Sequence, residues 1–154
     1  MFTIFLFIVI LSILVFVHEF GHFIAARKSG MKVYEFALGF PPLAIGVYKD
    51  PKTKKLVWVG PKQAKRNALK AGGGDGTKGE YEYPATLYSF NLLPLGGFCK
   101  IKGENGEEAQ DTDSFGYQKT YKKVIVLVAG VAMNFLLAAV LLGFGFLIGL
   151  PTDV

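Results

Sequence analysis

Two histidines and a glutamate lie in an otherwise mostly apolar stretch, VHEFGH at residues 17–22. His18 and His22 are the only histidines of the 154-residue chain. On a helix they lie one turn apart on one face, so both imidazoles can bind the same ion. Imidazoles at this spacing suit Zn2+, and Glu19 is placed to take the proton of an attacking water without binding the metal. The pattern predicts metal-assisted hydrolysis. The alternative is a structural histidine pair hydrogen-bonded between helices.

The segment that carries this motif predicts a membrane-spanning helix. Residues 2–26 are apolar apart from Thr3, Ser12 and the motif itself. At 1.5 Å per residue they extend about 37 Å, enough to cross a hydrocarbon core of about 30 Å. Residues 124–150, interrupted only by Asn134, predict a second spanning helix. A cleaved signal peptide is the alternative for the first segment, but no lysine or arginine precedes its apolar run.

The charge distribution predicts the topology. All 17 lysines and arginines lie in residues 27–123, which contain ten acidic residues and carry a net charge of +7. By the positive-inside rule this region is cytosolic, the chain crosses the cell membrane more than once, and residues 151–154 begin an external segment. Because the basic balance follows from topology, we predict the lipid bilayer as a partner and no nucleic-acid partner.

The region between the two apolar segments predicts β-hairpins. The runs LAIGVY and LVWVG flank a turn-forming segment, KDPKTKK, at residues 49–55. TLYSFNLL and FCKIKG flank PLGG at residues 94–97, where proline and glycine indicate a tight reversal. This second hairpin, residues 86–103, is unusually apolar for a loop. An exposed strand edge here could pair with an unwound substrate segment, whereas the alternative is a hairpin that only packs against the helices.

Three blocks in this order, VHEFGH, YSFNLLPLGGFCKIKGE and LVAGVAMNFLLAAVLL, resemble the site-2 protease family of intramembrane zinc metalloproteases, in its bacterial regulatory branch. The resemblance implies cleavage of transmembrane protein substrates within the membrane, as in regulated intramembrane proteolysis. It implies that His18 and His22 bind zinc and that Glu19 activates water. The implied fold is a mainly α membrane protein, with two transmembrane helices flanking a cytosolic region of β-hairpins, one of them membrane re-entrant.

The resemblance also indicates residues that contact substrate. In the family the hairpin at residues 86–103 dips into the membrane beside the active site. The residues that match its recurring positions, together with the asparagine of a Gly-x-x-x-Asn motif in the second helix, are Asn91, Pro94, Gly96, Gly97 and Asn134. Read without the family, Gly130 and Asn134 equally fit close helix packing with one interhelical hydrogen bond. The family often has proline where this chain has Val131.

The third zinc ligand of the family is an aspartate in a Leu-Asp-Gly segment of a later transmembrane helix, and this sequence contains no such segment. We therefore expect the amino-terminal part of a longer enzyme, inactive alone and followed by a PDZ domain and later transmembrane helices. The alternative is a catalytically inactive relative that binds membrane proteins or zinc. The G-x-G-x-x-G at Gly74, Gly76 and Gly79 lacks a preceding strand and a following helix and predicts a flexible linker.

Overall fold

The computed structural model describes residues 1–70, 83–106 and 110–149. The predictions for residues 74–79 and 151–154 lie outside them. Six elements follow in chain order: α1 (Phe2–Lys28), β1 (Val33–Lys49), β2 (Leu56–Val59), α2 (Pro61–Lys70), β3 (Leu87–Ile101) and α3 (Thr120–Ile148). The two long helices begin and end within a few residues of the predicted spans. Helix α2 was not predicted from the sequence.

Helices α1 and α3 are both long and apolar enough to cross a membrane. Only 6% and 11% of their most apolar windows are buried within the protein, so most of their apolar surface is available to lipid. They run antiparallel, because the Lys122 ammonium near the start of α3 donates to the carbonyl of Ser29 just after α1, at 2.9 Å. The basic ends of the two helices therefore lie on the same side, as the positive-inside prediction requires.

A small residue allows the two helices to approach closely. A Cβ atom added at Gly21 would lie 2.4 Å from the backbone oxygen of Ala129, so no side chain fits between the helices there. Gly21 and Ala25, four residues apart, form the small-xxx-small pattern that permits such approaches. Gly21 belongs to the HEFGH motif, and the helix contact therefore lies at the level of the two histidines.

The three strands form one sheet in the order β2–β1–β3. Its pairs are antiparallel except where residues 35–38 of β1 run alongside residues 87–90 of β3 in the same direction. Pairs from Gly46–Val59 to Lys49–Leu56 join β1 and β2, which confirms the first predicted hairpin. In its turn, the Asp50 carboxylate accepts hydrogen bonds from the Lys52 backbone N–H and the Thr53 hydroxyl, both at 2.9 Å. These hydrogen bonds hold the pKa of Asp50 below its ordinary value.

The pairing predicted for the second hairpin is wrong. Its two arms do not pair with each other, because the first half of β1 lies between them: Ala37 pairs with Phe98 on one side and with Ser89 on the other. The reversal at PLGG is present, with Gly96 at a φ of +92°. Strand β1 bends at Gly39, where φ is +84°, and pairs with β3 along both of its halves. A sequence pattern marks reversals but not which strand enters between the arms.

A compact apolar cluster anchors the motif end of α1 to the sheet and to α3. Its buried members come from α1, β1, β3 and α3 and the residues between them: Phe23, Ala25, Ala26, Met31, Val33, Phe36, Cys99, Ile101 and Val126. Because interiors of this kind are close-packed, the last turns of α1 are fixed relative to both other elements. The histidine pair thus lies on the best-anchored part of its helix.

Candidate metal centre

The two histidines of α1 converge through the same ring atom. His18 Nε2 and His22 Nε2 are 3.1 Å apart. The other nitrogen of His22, Nδ1, lies 2.7 Å from the backbone oxygen of Val126 on α3. A carbonyl can only accept, so Nδ1 carries the proton and Nε2 keeps its lone pair. Metal-binding histidines are commonly oriented by such a second contact.

The second nitrogen of His18 also faces α3, at a residue about two turns of helix after Val126. His18 Nδ1 is 3.5 Å from the side-chain nitrogen of Asn134. Asn134 Oδ1 is buried and has no hydrogen-bond partner among the described residues. An unpaired buried amide oxygen beside an imidazole is unusual, since buried polar groups nearly always have partners. Asn134 therefore belongs to the surroundings of the histidine pair.

Gly130 leaves the space in which the two imidazoles meet. A Cβ atom at this position would lie 2.5 Å from His22 Nε2 and 2.6 Å from His18 Nε2. Val126, Gly130 and Asn134 follow one another at four-residue intervals and so line one face of α3. That face supplies a carbonyl, an open space and an amide to the histidine pair. Any larger residue at position 130 would displace the rings.

Glu19 is half-buried beside the histidine pair and is held by the sheet. The backbone N–H of Cys99 in β3 faces its carboxylate. Strand β3 therefore orients the predicted base, while α3 orients the predicted ligands. This contact with Cys99 was not predicted from the sequence, which offers no signal for a backbone donor.

The predicted substrate-contacting residues of β3 lie against α1 and β1. The Pro94 carbonyl accepts from the Ser12 hydroxyl at 2.6 Å, and the buried Asn91 amide donates to the Gly39 carbonyl at 3.1 Å. A Cβ atom at Gly96 would lie 3.2 Å from the Val15 side chain. Ser12 lies six residues before His18, about 9 Å along the helix. The reversal of β3 therefore contacts α1 on the side of the motif away from its basic end.

Gly97 makes the close approach between β1 and β3 possible. A Cβ atom there would lie 2.5 Å from the carbonyl oxygen of Ala37. Like Asn91, Gly97 contacts β1 within the sheet. Contact of these residues with a substrate stays a prediction.

Within residues 1–70, 83–106 and 110–149, no group of three or more His, Cys, Asp or Glu side chains is arranged to hold a metal ion. Lys102 binds Asp111 at 2.7 Å and Asp113 at 2.9 Å, which occupies two of the aspartates in the polar loop. Two imidazoles are half of a tetrahedral zinc shell. The location of a third ligand stays a prediction.

A histidine pair with an adjacent glutamate, on an apolar helix long enough to cross a membrane, is the arrangement of a membrane-embedded zinc metallopeptidase. Comparison with known proteins agrees with that class. The sequence model of Peptidase family M50 matches residues 6–54 and 79–151. The chain belongs to this family, the site-2 proteases.

Individual relatives extend the comparison. The chain is 35% identical over 136 residues to a protein of Fusobacterium nucleatum named "Putative zinc metalloprotease", covering 88% of the chain and 30% of the relative. A protein of Vibrio cholerae with the same name is 33% identical over 148 residues, covering 94% and 25%. The "Regulator of sigma E protease" of Haemophilus influenzae is 28% identical over 149 residues, covering 95% and 26%. The chain thus spans about a quarter to a third of these relatives.

Proposed function

We propose that this chain is the amino-terminal part of an intramembrane zinc endopeptidase that cuts transmembrane segments of other proteins near the cytosolic face of the cell membrane. The observation that carries the proposal is the convergence of His18 Nε2 and His22 Nε2, 3.1 Å apart, on a helix apolar enough to span a membrane. Ionisable side chains at such depth are costly and usually functional. Membership of a zinc metallopeptidase family supports the same conclusion.

The residues present fit a zinc ion. His22 presents a lone pair at Nε2 because its Nδ1 donates to Val126, and Gly130 leaves room where both rings point. His18 and His22 would hold the metal, and a third ligand would come from a later helix of the same protein. When bound, zinc supplies a Lewis acid that makes water a nucleophile at neutral pH. Glu19, which faces the Cys99 N–H, would accept the proton of that water and pass it to the leaving nitrogen.

We further propose that Asn134 positions His18 and does not only contact substrate. Amide oxygen and nitrogen are assigned by their hydrogen bonds. Exchanging the two places Oδ1 where it accepts from His18 Nδ1–H, which would give the unpaired oxygen a partner. His18 then presents the lone pair of Nε2, as His22 does. The two ligands would be oriented by one face of α3.

The sheet offers a place for an unwound substrate. A helical substrate has its peptide groups hydrogen-bonded internally and must extend before cleavage. The arm of β3 at residues 97–101 pairs with β1 on one side. The Cys99 N–H of this arm faces Glu19, so the outer edge of the arm faces the base. A substrate strand added at this edge would pass close to Glu19. A membrane re-entrant position for this sheet is supported by the contact of Pro94 with Ser12, within the apolar part of α1.

Residues 27–123 are proposed to be cytosolic, which the pairing of the basic helix ends supports. A PDZ domain and later transmembrane helices are proposed to follow, as partners within the same protein. A part in regulated intramembrane proteolysis is proposed from the resemblance and from the printed name of the Haemophilus relative. The alternative is an inactive relative that binds membrane proteins or zinc. Such a protein would not need Glu19 as a base.

The test uses the intact protein in detergent with a transmembrane substrate. Glu19→Gln keeps an oxygen that can accept from Cys99 but cannot take a proton, so we expect full zinc content and no cleavage. His18→Ala is the matched variant, and we expect it to lose both zinc and cleavage. Normal turnover by Glu19→Gln would end the protease proposal, and loss of zinc in that variant would show that Glu19 is a ligand.

A further inference from the structure

The mechanism leaves a strongly basic surface unused. Residues 52–66, named here the basic arm, comprise the end of the β1–β2 turn, β2 and the start of α2. The arm contains six basic and no acidic residues. All six are exposed: Lys52, Lys54, Lys55, Lys62, Lys65 and Arg66. We infer that the basic arm docks onto anionic lipid headgroups of the membrane leaflet at the basic end of α1.

A chain of contacts places the arm at the level of the membrane edge. Arg27, in the last turn of α1, donates to the Tyr88 hydroxyl at 3.2 Å. Tyr88 pairs with Val47, and Val47 pairs with Trp58. Neighbouring strands are about 4.8 Å apart, so Trp58 lies about 10 Å to the side of Tyr88 in the same row. The arm thus extends sideways from the point where α1 leaves the hydrocarbon.

The arm has an apolar edge as well as its charges. Leu56 and Trp58 are 65% and 63% exposed and, two residues apart on a strand, point to the same face. On the neighbouring strands Ile45 and Phe90, both nearly half-exposed, continue this face towards α1. Tryptophan is enriched at membrane interfaces because its ring is apolar with one polar N–H. An apolar edge beside exposed lysines matches the boundary between acyl chains and headgroups.

Charge complementarity favours anionic lipid as the occupant. A basic side chain near an anionic surface contributes about 1 kcal/mol, or about fivefold in partitioning. Nucleic acid would use the charges but leave Leu56 and Trp58 exposed to water. The inference rests on the proposed function only in that α1 spans the bilayer. It does not depend on zinc, on hydrolysis or on which side of the membrane is cytosolic.

Trp58 is the only tryptophan of the sequence and reports on the arm directly. The full chain is reconstituted in phosphatidylcholine vesicles, with and without a quarter of phosphatidylglycerol, and quenching by lipids brominated near the headgroup is measured. We expect stronger quenching of Trp58 with phosphatidylglycerol. High salt should return it to the neutral-vesicle value, because about 1 M salt shortens the Debye length to about 3 Å.

Paired charge variants complete the test. Lys62→Gln/Arg66→Gln removes two charges from α2, which predicts about a 25-fold loss in the docked-to-undocked ratio, and quenching as in neutral vesicles. Lys28→Gln/Lys119→Gln removes two exposed charges outside the arm and should leave quenching unchanged. Equal quenching with and without phosphatidylglycerol, or equal effects of the two pairs, would overturn the inference. Because the quenching signal does not require bound zinc, failure of the proposed metal site would leave these outcomes unchanged.

Discussion

Replacing Gly130 by alanine should damage the metal centre more than any other single methyl group added to α3. The new Cβ would lie 2.5 Å from His22 Nε2 and 2.6 Å from His18 Nε2, whereas ordinary van der Waals contact begins at 3.4 Å. Each ring must therefore retreat by about 0.8–0.9 Å, or the helices must separate. Metal–ligand distances tolerate only about 0.2 Å. The substitution moves both ligands by several times that tolerance.

The expected size of the effect follows from the cost of overpacking. Inserting a methyl group into a well-packed contact costs about 1–3 kcal/mol. If that cost falls on the ligands, zinc affinity falls by a factor of about 5 to 150. The assay is competition for zinc between the purified intact protein and a chromophoric chelator, with the thermal unfolding midpoint in detergent as a second measurement.

Two glycines provide matched controls. A Cβ atom at Gly143, also on α3, would meet nothing within 4 Å, so Gly143→Ala should preserve zinc affinity and slightly favour the helix. Gly21→Ala would place a Cβ 2.4 Å from the Ala129 oxygen and should lower the unfolding midpoint with less loss of zinc affinity. If Gly130→Ala binds zinc as tightly as Gly143→Ala, the rings do not meet at Gly130. If Gly130→Ala loses no more zinc affinity than Gly21→Ala, the loss comes from separation of the two helices and not from displacement of the rings.

Three further predictions test the surroundings of the site. A water-soluble thiol reagent should label Tyr117→Cys only from the cytosolic side and Thr3→Cys only from outside. The native Cys99 should react little with the reagent, because burial raises its pKa to about 12. The reverse labelling pattern would invert the topology. Burial raises the pKa of Glu35 above its ordinary 4.5, so the folded state binds the proton more tightly and stability should fall as pH rises from about 4.5 through the folded pKa. Glu35→Gln should remove that slope in thermal unfolding, and an unchanged slope would exclude Glu35 as its source. Asn134→Val should weaken zinc binding by about 10–100-fold, whereas Asn134→Asp, which keeps an acceptor oxygen, should largely retain it. Equal zinc affinities of the two variants would show that Asn134 does not orient His18.

The sequence predicted the features that depend on composition and spacing. Apolar length sufficed for α1 and α3, and the His-x-x-x-His interval sufficed to bring two imidazoles together, because helix geometry fixes both. The turn at Asp50 was predictable from its residue types. The pairing of the strands was predicted wrongly, because both arms of β3 are apolar and β-prone and their sequences do not indicate their partners. The bend at Gly39 allows β1 to lie between the two arms. Helix α2 was missed because its sequence, PKQAKRNALK, has few apolar residues from which a period could be read.

The polar side chains of α1 explain why the site and the fold cannot be separated. In a membrane each buried polar group needs a partner, since no water is available to it. Four polar residues interrupt the apolar run between positions 12 and 22, and each contacts another element. The pairs are Ser12 with Pro94, His18 with Asn134, Glu19 with Cys99 and His22 with Val126. Strand β3 takes the first and third, and α3 takes the second and fourth. The groups proposed for catalysis therefore also hold α1 against the sheet and against α3. A substitution that removes a hydrogen-bonding atom should weaken assembly together with chemistry, whereas Glu19→Gln, which keeps an acceptor oxygen, should separate the two.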